Sequence, residues 1–564
     1  MSVIDYSQKY KLSDERFSEI KEKASFPYFA TGENGIRRHI CCVASKKDKT
    51  YYIVSSGISI LKKYIDLDSK KVNFLITYYN GIGMSEIYAD RSVLSKRGIE
   101  ELINYGVSFN IEKPKHLINY LMVSEQKAPI EFSHTQLGWS ELDGKTVFKS
   151  GKLVSADESG AKSTYFGNLD LAPSGSREKW FEMVKTEVIG NIPLTTVMLA
   201  GFASPILGYL NQKYDLGSVL LNLSNSSSKG KTTAAMLATS VFGNPAMNKS
   251  TLITFNATNN ALVNFASQCN SHTIALDEAV ISTASDVTKQ LYTLCSGRDK
   301  LRLNTDSELK EASTFSSFII STAEFDLIPD SATNGIRARV FELKDTFTTS
   351  AENSVKIKSI VAENYGFAGA EFVEFLLKEK INNIEKDYLK CQSELMSEYN
   401  EEFAPCKKGE LTERVFSKLA ILLQTAIYFE KCFGIKIEGN FIEYLKKIEK
   451  SVQGNSDRSA FLLECIKRSV GDNASKYITN PSNAFSGALG KITTDSNGTK
   501  IIITVSEANR IFEVNNIENP KNLLQQLKKD KILLCEKDRL YKRIQLCPFT
   551  HVKQHCYEFI VDMI

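Results

Sequence analysis

A serine-rich segment followed by Gly-Lys-Thr-Thr has the residue types and spacing of a phosphate-binding loop. It matches the pattern G-x-x-x-x-G-K-[ST], except that Asn225 replaces the first glycine. Successive backbone N–H groups of such a loop curl around a phosphate, Lys231 reaches the outer phosphate oxygens, and Thr232 offers a hydroxyl to Mg²⁺. Asparagine is the best substitute for this glycine because it tolerates a left-handed backbone. The predicted loop residues are Asn225, Ser226, Ser227, Ser228, Lys229, Gly230, Lys231, Thr232 and Thr233.

A serine-rich turn that contains Gly-Lys-Thr by chance is the alternative, and the next acidic motif argues against it. An apolar run ends at Leu276-Asp277-Glu278. Here Asp277 would complete the coordination of Mg²⁺, and Glu278 would polarise an attacking water molecule. The loop and the acidic pair in this order predict a nucleotide-binding site for ATP and Mg²⁺.

Hydroxyl and guanidinium groups further along the chain complete the candidate site. Ser321 and Thr322 end another apolar run, where a hydroxyl could sense the terminal phosphate; the alternative is a cap at a strand end. Arg337 and Arg339 follow Asn334-Gly335 and are expected to emerge from a turn on one face of a strand. They are candidates for an arginine finger, a side chain that reaches the γ-phosphate of a nucleotide bound to a neighbouring subunit. The alternative is that both arginines face solvent.

Cations that flank a polar turn form a candidate DNA contact. In the segment SGRDKLRLNTDSELKEASTF, a β-hairpin would present Lys300, Arg302 and Lys310. Contacts of this kind to a phosphate backbone are independent of base sequence and sensitive to salt. The alternative is an exposed hairpin whose charges face water.

The periodicity of the chain predicts the elements that position these residues. Residues 219–223 read as a buried strand, followed by the loop and a helix at 232–242, with sibling strands in HTIALDE and SSFIISTAE. This order predicts an α/β unit with a parallel sheet. Before it, residues 37–137 read as a mixed α+β module and residues 155–177 as a linker or long loop. After it, residues 353–453 read as a helical bundle and residues 454–564 as a winged helix with a basic excess.

Composition excludes several classes of protein. The chain has 564 residues, a net charge of +4 and 11 cysteines without a C-x-x-C pair, which favours thiols in a reducing compartment over a disulfide framework. The start of the chain lacks an apolar core, and apolar runs such as residues 501–505 are far shorter than the ~20 residues of a membrane span. We therefore expect a soluble, cytoplasmic protein without membrane partners.

Cysteine and histidine near the C-terminus form the one metal-like cluster. If this stretch were helical, Cys547, His551 and His555 would share a face. Pro548 and the position near the chain end favour an amphipathic, partly buried segment instead. His272, before the acidic strand, is expected to be a packing residue.

An ordered set of motifs resembles one known family. ATNNAL, LDE, YTLCSGRDKLR, ISTAE, GIRARV and NYGFAGAEF, with SSGISILKKYID, LINYGVSF and TQLGW before them, are similar to the MCM-like AAA+ replicative helicases of staphylococcal cassette chromosomes and pathogenicity islands. The resemblance spans about residues 36–375. It implies a bacterial homo-hexameric ring that hydrolyses ATP between subunits and acts on single-stranded and forked DNA, together with accessory replication proteins.

The resemblance also implies roles for individual residues. Thr322 would be the first sensor, Arg339 the finger with Arg337 in reserve, and Arg414 in the helical segment a second sensor. Cellular MCM proteins usually carry a zinc motif in their first domain, and no C-x-x-C is present to form one here.

The predicted fold is multidomain α/β, with an AAA+ P-loop ATPase core, an α+β N-terminal domain, a helical segment and a C-terminal winged helix. The expected domains are residues 1–175, 176–350, 351–455 and 456–564. The predicted function is an ATP-dependent replicative DNA helicase of a mobile element. The alternatives are an ATP-gated DNA-binding initiator or loader without processive unwinding, and a remodelling ATPase that acts on protein.

Overall fold

The computed structural model of the chain divides into two compact units, Met1–Leu171 and Ala172–Ile564. The structure describes residues 5–33, 36–157, 162–279, 284–298, 302–303, 309–310, 314–328, 334–402, 410–456, 458–480, 482, 484–495, 498–515, 517, 520–536, 539–550 and 552–561.

In its described residues, the first unit contains three sheets and three α-helices. Its elements are β1 (Lys9–Lys11), α1 (Asp14–Lys21), β2 (Tyr28–Glu33), β3 (Ile36–Ser45), β4 (Thr50–Ser56), β5 (Ile58–Asp66), β6 (Val72–Tyr79), β7 (Met84–Asp90), α2 (Lys96–Glu101), α3 (Pro114–Lys127), β8 (Ile130–His134), β9 (Gly138–Leu142), β10 (Lys145–Lys149), β11 (Leu153–Val154) and β12 (Ser163–Tyr165). The sheet orders are β1-β4-β3-β2, β11-β10-β9 and β12-β8-β5-β6-β7.

Apolar residues from the second and third helices and from several strands form the core of this unit. β7 alternates exposed and half-buried residues, as expected of a strand at the edge of a sheet. The predicted linker at residues 155–177 is in part wrong, because β12 lies within it and pairs in parallel with β8. Three residues of mixed polarity carry too little period-two signal to mark a strand.

The second unit opens with helices α4 (Arg177–Met183) and α5 (Ile192–Tyr214), separated by a π-helical turn. Among the described residues, α5 is the one helix that is long and apolar enough to cross a membrane. Our expectation that no apolar run approaches that length is therefore wrong. Since 78% of the most apolar stretch of α5 is buried inside the protein, this helix fits the core.

A five-stranded parallel sheet forms the centre of the second unit. Its elements, with the helices between them, are β13 (Val219–Ser224), α6 (Lys231–Thr239), β14 (Leu252–Thr254), α7 (Asn259–Gln268), β15 (Ile274–Asp277), α8 (Ala284–Ser296), β18 (Phe318–Ala323), α9 (Asn334–Arg337) and β19 (Val340–Leu343), and a short β16 (Arg302–Leu303) and β17 (Leu309–Lys310) lie between α8 and β18. The strand order is β14-β15-β18-β13-β19. Every residue of β13 and β18 is buried, as expected of strands covered on both faces.

A series of helices follows β19 along the chain. They are α10 (Ala351–Glu363), α11 (Phe367–Phe375), α12 (Ile384–Glu402), α13 (Glu410–Phe433) and α14 (Phe441–Ser456). α13 packs against α5, α12 and α14, and aromatic rings from α5, α11 and α13 contact one another around Phe202. This region is helical, as its periodicity predicts.

The C-terminal part of the chain combines helices with a sheet. Its elements are α15 (Arg458–Asp472), β20 (Tyr477–Ile478), β21 (Gly490–Asp495), β22 (Gly498–Thr504), α16 (Val505–Val514), α17 (Pro520–Lys529), β23 (Leu533–Leu534), β24 (Lys542–Ile544) and β25 (Gln554–Val561). The two strands expected around the CEKD turn are present, but each pairs with β25 rather than with the other.

Candidate active site

The carboxyl ends of three neighbouring parallel strands bring the candidate residues together. β18 lies between β13, which leads into the serine-rich loop, and β15, which ends at Asp277. Because parallel strands end at the same edge of a sheet, the loop and the acidic pair converge there. β18 contributes Thr322 from the position between them.

Two residues of the loop take a left-handed backbone. Gly230 has φ 79° and caps α6, and Ser228 has φ 66°. A Cβ on Gly230 would lie 2.5 Å from the Thr348 side chain, so glycine is required there for both conformation and space.

Asn225 replaces the first glycine for a reason that differs from our expectation. It does not adopt a positive φ, so tolerance of a left-handed backbone does not explain it. Its Nδ2 donates to the carbonyls of Lys344 (3.0 Å) and Asp345 (3.2 Å), and its Oδ1 accepts from the Ser226 amide at 2.8 Å. The asparagine therefore fastens the start of the loop to the chain that follows β19.

The lysine and threonine that follow Gly230 lie at the start of α6. The Lys231 ammonium donates to the carbonyls of Asn225 and Ser226, which folds its side chain over the loop. The Thr232 hydroxyl donates to Asp277 Oδ1 at 3.3 Å. A hydroxyl and a carboxylate oxygen are donors that Mg²⁺ prefers, so this pair suits a hard divalent cation.

Asp277, Glu278 and Thr322 form a connected group. The Thr322 hydroxyl donates to Asp277 Oδ1 at 2.5 Å and accepts from the Glu278 backbone N–H at 2.9 Å. Glu278 has φ 58°, an unusual backbone for a glutamate, and strain of this kind is concentrated at functional sites. Of the two hydroxyls proposed at the end of β18, Thr322 lines the cavity, whereas the Ser321 side chain is completely buried.

A cavity of about 950 Å³ lies beside these residues. Part of its lining comes from two segments that the sequence did not predict. They follow β18 and β19 and contribute Glu324, Phe325, Thr346, Thr348, Thr349, Ser350, Ala351, Ser354, Val355 and Lys358. Ser350 caps α10, and the Phe347 amide donates to the Lys229 carbonyl at 2.9 Å. The capping serine before residues 351–363 was the one signal that could have pointed to this wall.

A buried carboxyl group supports the sheet next to the loop. Glu342 of β19 accepts from Asn222 Nδ2 at 2.6 Å and from the Ile328 amide at 3.0 Å. Burial raises the pKa of Glu342 to about 7, and the nearby Asp326 charge adds to this shift. Glu342 thereby ties β13 and β19 to the segment that follows β18.

The two arginines proposed as fingers lie away from the cavity. The prediction that both arginines emerge from a turn on one face of a strand is wrong. Arg337 is the last residue of the short helix α9 and is buried, and β19 does not begin until Val340. Arg339 precedes β19, so it lies at the amino edge of the sheet, opposite the loop. Its Nη1 donates to the Gly335 carbonyl at 3.3 Å.

The predicted basic hairpin is present in part. Arg302 of β16 pairs with Lys310 of β17 in an antiparallel register. Lys300 lies outside the described residues.

The C-terminal cysteine and histidine residues do not form the helical face considered above. His555 lies in strand β25 and accepts from Arg543 Nε at 3.1 Å, Cys547 is buried in an apolar cluster, and His551 lies outside the described residues. His272 is buried with its ring 4.6 Å from that of Phe242, and Arg414 is exposed on α13.

Comparisons with known proteins connect this architecture with a helicase fold. A domain of unknown function, DUF927, matches residues 29–314, and a Cch helix-turn-helix domain matches residues 461–563. No curated protein matches. A solved structure described as SCCmec type IV Cch, an active helicase, is similar over 95% of this chain and 97% of its own, with a TM-score of 0.68 and 21% identity.

These matches confirm in part the family resemblance drawn from the sequence. The multidomain α/β fold is similar to that of the Cch helicase, and residues 461–563 match a Cch helix-turn-helix domain. The DUF927 match covers just over half of the residues. The chain therefore belongs to the DUF927 family.

Proposed function

We propose that the chain is an ATP-dependent replicative DNA helicase with an AAA+ core, which assembles into a ring, as a hexamer, and translocates on single-stranded DNA. One observation carries the proposal. The loop at 225–233, the acidic pair Asp277 and Glu278, and Thr322 lie around one cavity in a chain with the fold of a Cch helicase.

ATP fits this cavity through its phosphates. Backbone N–H groups between Ser226 and Thr233 would hold them, and Lys231 would exchange its loop carbonyls for phosphate oxygens. Thr232 and Asp277 would hold Mg²⁺, which supplies neutralisation of phosphate charge when it is bound. The apolar side chains of Ala351 and Val355 at the rim offer a surface for the base.

Hydrolysis needs a base next to the terminal phosphate and a fixed geometry. Glu278 would orient and polarise the attacking water. Thr322 holds both the Asp277 carboxylate and the Glu278 backbone, so it would keep the metal ligand and the base in register. Arg339 would act on the nucleotide of a second copy, with Arg337 in reserve and Arg414 as a second sensor.

DNA contacts would come from two parts of the chain. The hairpin of β16 and β17, with Lys300, Arg302 and Lys310, would contact the strand inside a ring through its phosphates. The C-terminal helix-turn-helix domain, as a winged helix, would contact duplex at a fork.

Unwinding of forked DNA tests the proposal. The intact chain should separate the strands with ATP and Mg²⁺ and should show a hexamer by native mass measurement. Lys231→Ala should lose at least about a hundredfold in ATP turnover and all unwinding, because the phosphates lose their cation. Lys249→Ala, which changes an exposed lysine outside the cavity, should behave like the unaltered chain.

Three outcomes would change this assignment. Absence of ATP turnover would refute it. ATP turnover and DNA binding without strand separation would indicate an initiator that loads or marks an origin. ATP turnover stimulated by unfolded polypeptide rather than DNA would indicate a remodelling ATPase.

A further inference from the structure

Three side-chain oxygen atoms of the first unit are buried without a hydrogen-bond partner and belong to neighbouring residues. They are Oδ2 of Asp66, Oδ2 of Asp68 and the hydroxyl oxygen of Ser133. Asp66 is 3% exposed, and Ser133 is completely buried. Since buried polar groups normally have a partner, three such atoms in one place indicate a ligand that the chain itself does not supply.

The pairing of β5 with β8 brings these residues together. Asp66 and Ser133 are partners in this parallel register, so their side chains lie on the same face of the sheet, on strands about 4.8 Å apart. The Leu67 amide donates to the Ser133 carbonyl at 2.8 Å, which joins the start of the next turn to β8. Asp66 Oδ1 accepts from the backbone amides of Asp68 (3.2 Å) and Ser69 (2.7 Å), so this turn folds around the Asp66 carboxylate.

The charges around these oxygens leave one buried carboxylate without a counter-ion. The Lys149 ammonium pairs with Asp68 Oδ1, and the Lys149 side chain is only 4% exposed. Among the described residues, no lysine or arginine pairs with Asp66, whose Oδ1 accepts only from neutral donors. An unpaired buried carboxylate is costly, so the site favours a cation over a neutral water molecule.

The donors that remain available at this site are oxygens rather than nitrogens. His134 follows Ser133 and is completely buried, but its ring nitrogens already contact Ser163 Oγ at 2.8 Å and the Ser150 carbonyl at 2.6 Å. Carboxylate and hydroxyl oxygens are the ligands that hard divalent cations prefer. The Asp68 side chain is 23% exposed, which gives an ion access from solvent.

We propose that Asp66, Asp68 and Ser133 bind a hard divalent cation, Mg²⁺ or Ca²⁺, which joins the turn after β5 to the end of β8. Water molecules would complete the coordination. With three protein ligands and the competing Lys149 ammonium, the Kd should be on the order of 10⁻⁴–10⁻³ M. All of these residues belong to the first unit, so the inference does not depend on the proposed ATP site.

Calorimetry of cation binding tests the proposal. The full chain, freed of metal with EDTA and kept without nucleotide or DNA, would be titrated with CaCl₂ and separately with MgCl₂. Asp66→Asn keeps an acceptor for the turn amides but removes the charge, so it should weaken binding at least about tenfold. Asp277→Asn should retain this binding. Asp14→Asn makes the same substitution at an exposed carboxylate of the same unit and should bind like the unaltered chain.

Two further variants should shift the affinity in opposite directions. Ser133→Ala removes one ligand without changing the charge and should weaken binding severalfold. Lys149→Met removes the competing ammonium and should strengthen binding at least about tenfold. These two variants decide the question if Asp66→Asn does not fold.

Hydrogen exchange locates the bound cation. At a cation concentration of about ten times the Kd, backbone amides in residues 66–71 and 130–134 should exchange roughly tenfold more slowly, because opening of the turn must first release the ion. Amides of α1, in the same unit, should be nearly unchanged.

Three results would overturn the inference. Absence of Ca²⁺ and Mg²⁺ binding in the millimolar range would mean that water satisfies the three oxygens. Equal affinity in a folded Asp66→Asn variant would place the bound ion elsewhere. Slower exchange confined to the loop at 225–233 and to Asp277 would assign the ion to the cavity of the second unit.

Discussion

Asn225, which replaces the first glycine of the phosphate-binding pattern, has a structural role and does not weaken the site. Its amide holds two backbone carbonyls of the chain after β19 while its oxygen receives the Ser226 amide. A glycine could make none of these side-chain contacts. The loop is thus fastened at its first residue by a side chain, whereas at Gly230 the nearby Thr348 leaves no room for a side chain.

Restoring the glycine should therefore weaken the protein rather than improve it. Asn225→Gly removes three hydrogen bonds of about 1 kcal/mol each and adds about 0.5–1 kcal/mol of backbone entropy to the unfolded chain. We expect the free energy of unfolding, measured with urea, to fall by about 3–4 kcal/mol, and the Kd for ATP to rise severalfold.

Asn225→Ala is the matched control because it removes the same hydrogen bonds without the added backbone freedom. It should lose about 3 kcal/mol of the free energy of unfolding. Tighter ATP binding by Asn225→Gly than by the unaltered chain would contradict the role assigned to the asparagine.

At the level of secondary-structure elements, the buried Glu342 joins strands of the central sheet near the loop. Glu342 connects β13, β19 and the segment after β18, while Ser224 and Lys344 contact the neighbouring Asp326 at 3.2 and 2.7 Å. A carboxyl group that is buried among neutral donors and beside another carboxylate favours its protonated form.

This arrangement predicts a stability that depends on pH. The pKa of Glu342 is raised in the folded chain to about 7, so the folded state binds more protons than the unfolded state between about pH 4.5 and 7. Its contribution is complete at low pH and is lost as the pH rises through 7. Urea unfolding should show a loss on the order of 3 kcal/mol from pH 5 to pH 8, relative to Glu342→Gln, which cannot ionise.

An equal pH dependence in Glu342→Gln would place the titrating group elsewhere. Asp326→Asn is a useful companion variant. By removing the nearby negative charge, it should lower the pKa of Glu342 and narrow the difference between pH 5 and pH 8.

Sequence patterns predicted the elements whose residues interact with neighbours that are close in the sequence. The strand, loop and helix around Lys231 and the acidic strand ending at Asp277 appear where they were expected, because buried runs and the glycine-lysine-threonine signal are local. The wall at residues 344–358 was missed, since its role depends on contacts with a loop more than one hundred residues away. β12 and the pairing of β24 with β25 were missed because partners of short strands leave no periodic signal.

At the scale of the whole molecule, the central sheet has two edges with complementary chemistry. The carboxyl edge carries the loop, the acidic pair and a cavity, and Arg339 lies at the amino edge, where it interacts electrostatically with Lys418. A contact between the amino edge of one copy and the carboxyl edge of the next is heterologous, and such contacts close into rings when the rotation allows it. A catalytic centre shared between copies is the simplest consequence of this polarity.

Mixing of two inactive variants tests whether the centre is shared. Lys231→Ala subunits keep Arg339 but cannot hold the phosphates, and Arg339→Ala subunits keep the loop but lack the finger. Each variant alone should be nearly inactive. A one-to-one mixture should regain roughly a quarter of the unaltered rate of ATP turnover, because that fraction of randomly formed interfaces pairs an intact loop with an intact Arg339.

A mixture of Lys231→Ala with Thr322→Val subunits is the control. Both changes lie at the carboxyl edge, so every subunit in this mixture has a defective loop edge and the mixture should stay inactive. No recovery in the mixture of Lys231→Ala with Arg339→Ala would mean that Arg339 does not act across copies, and recovery in the control would mean that the regained activity does not depend on an intact loop edge.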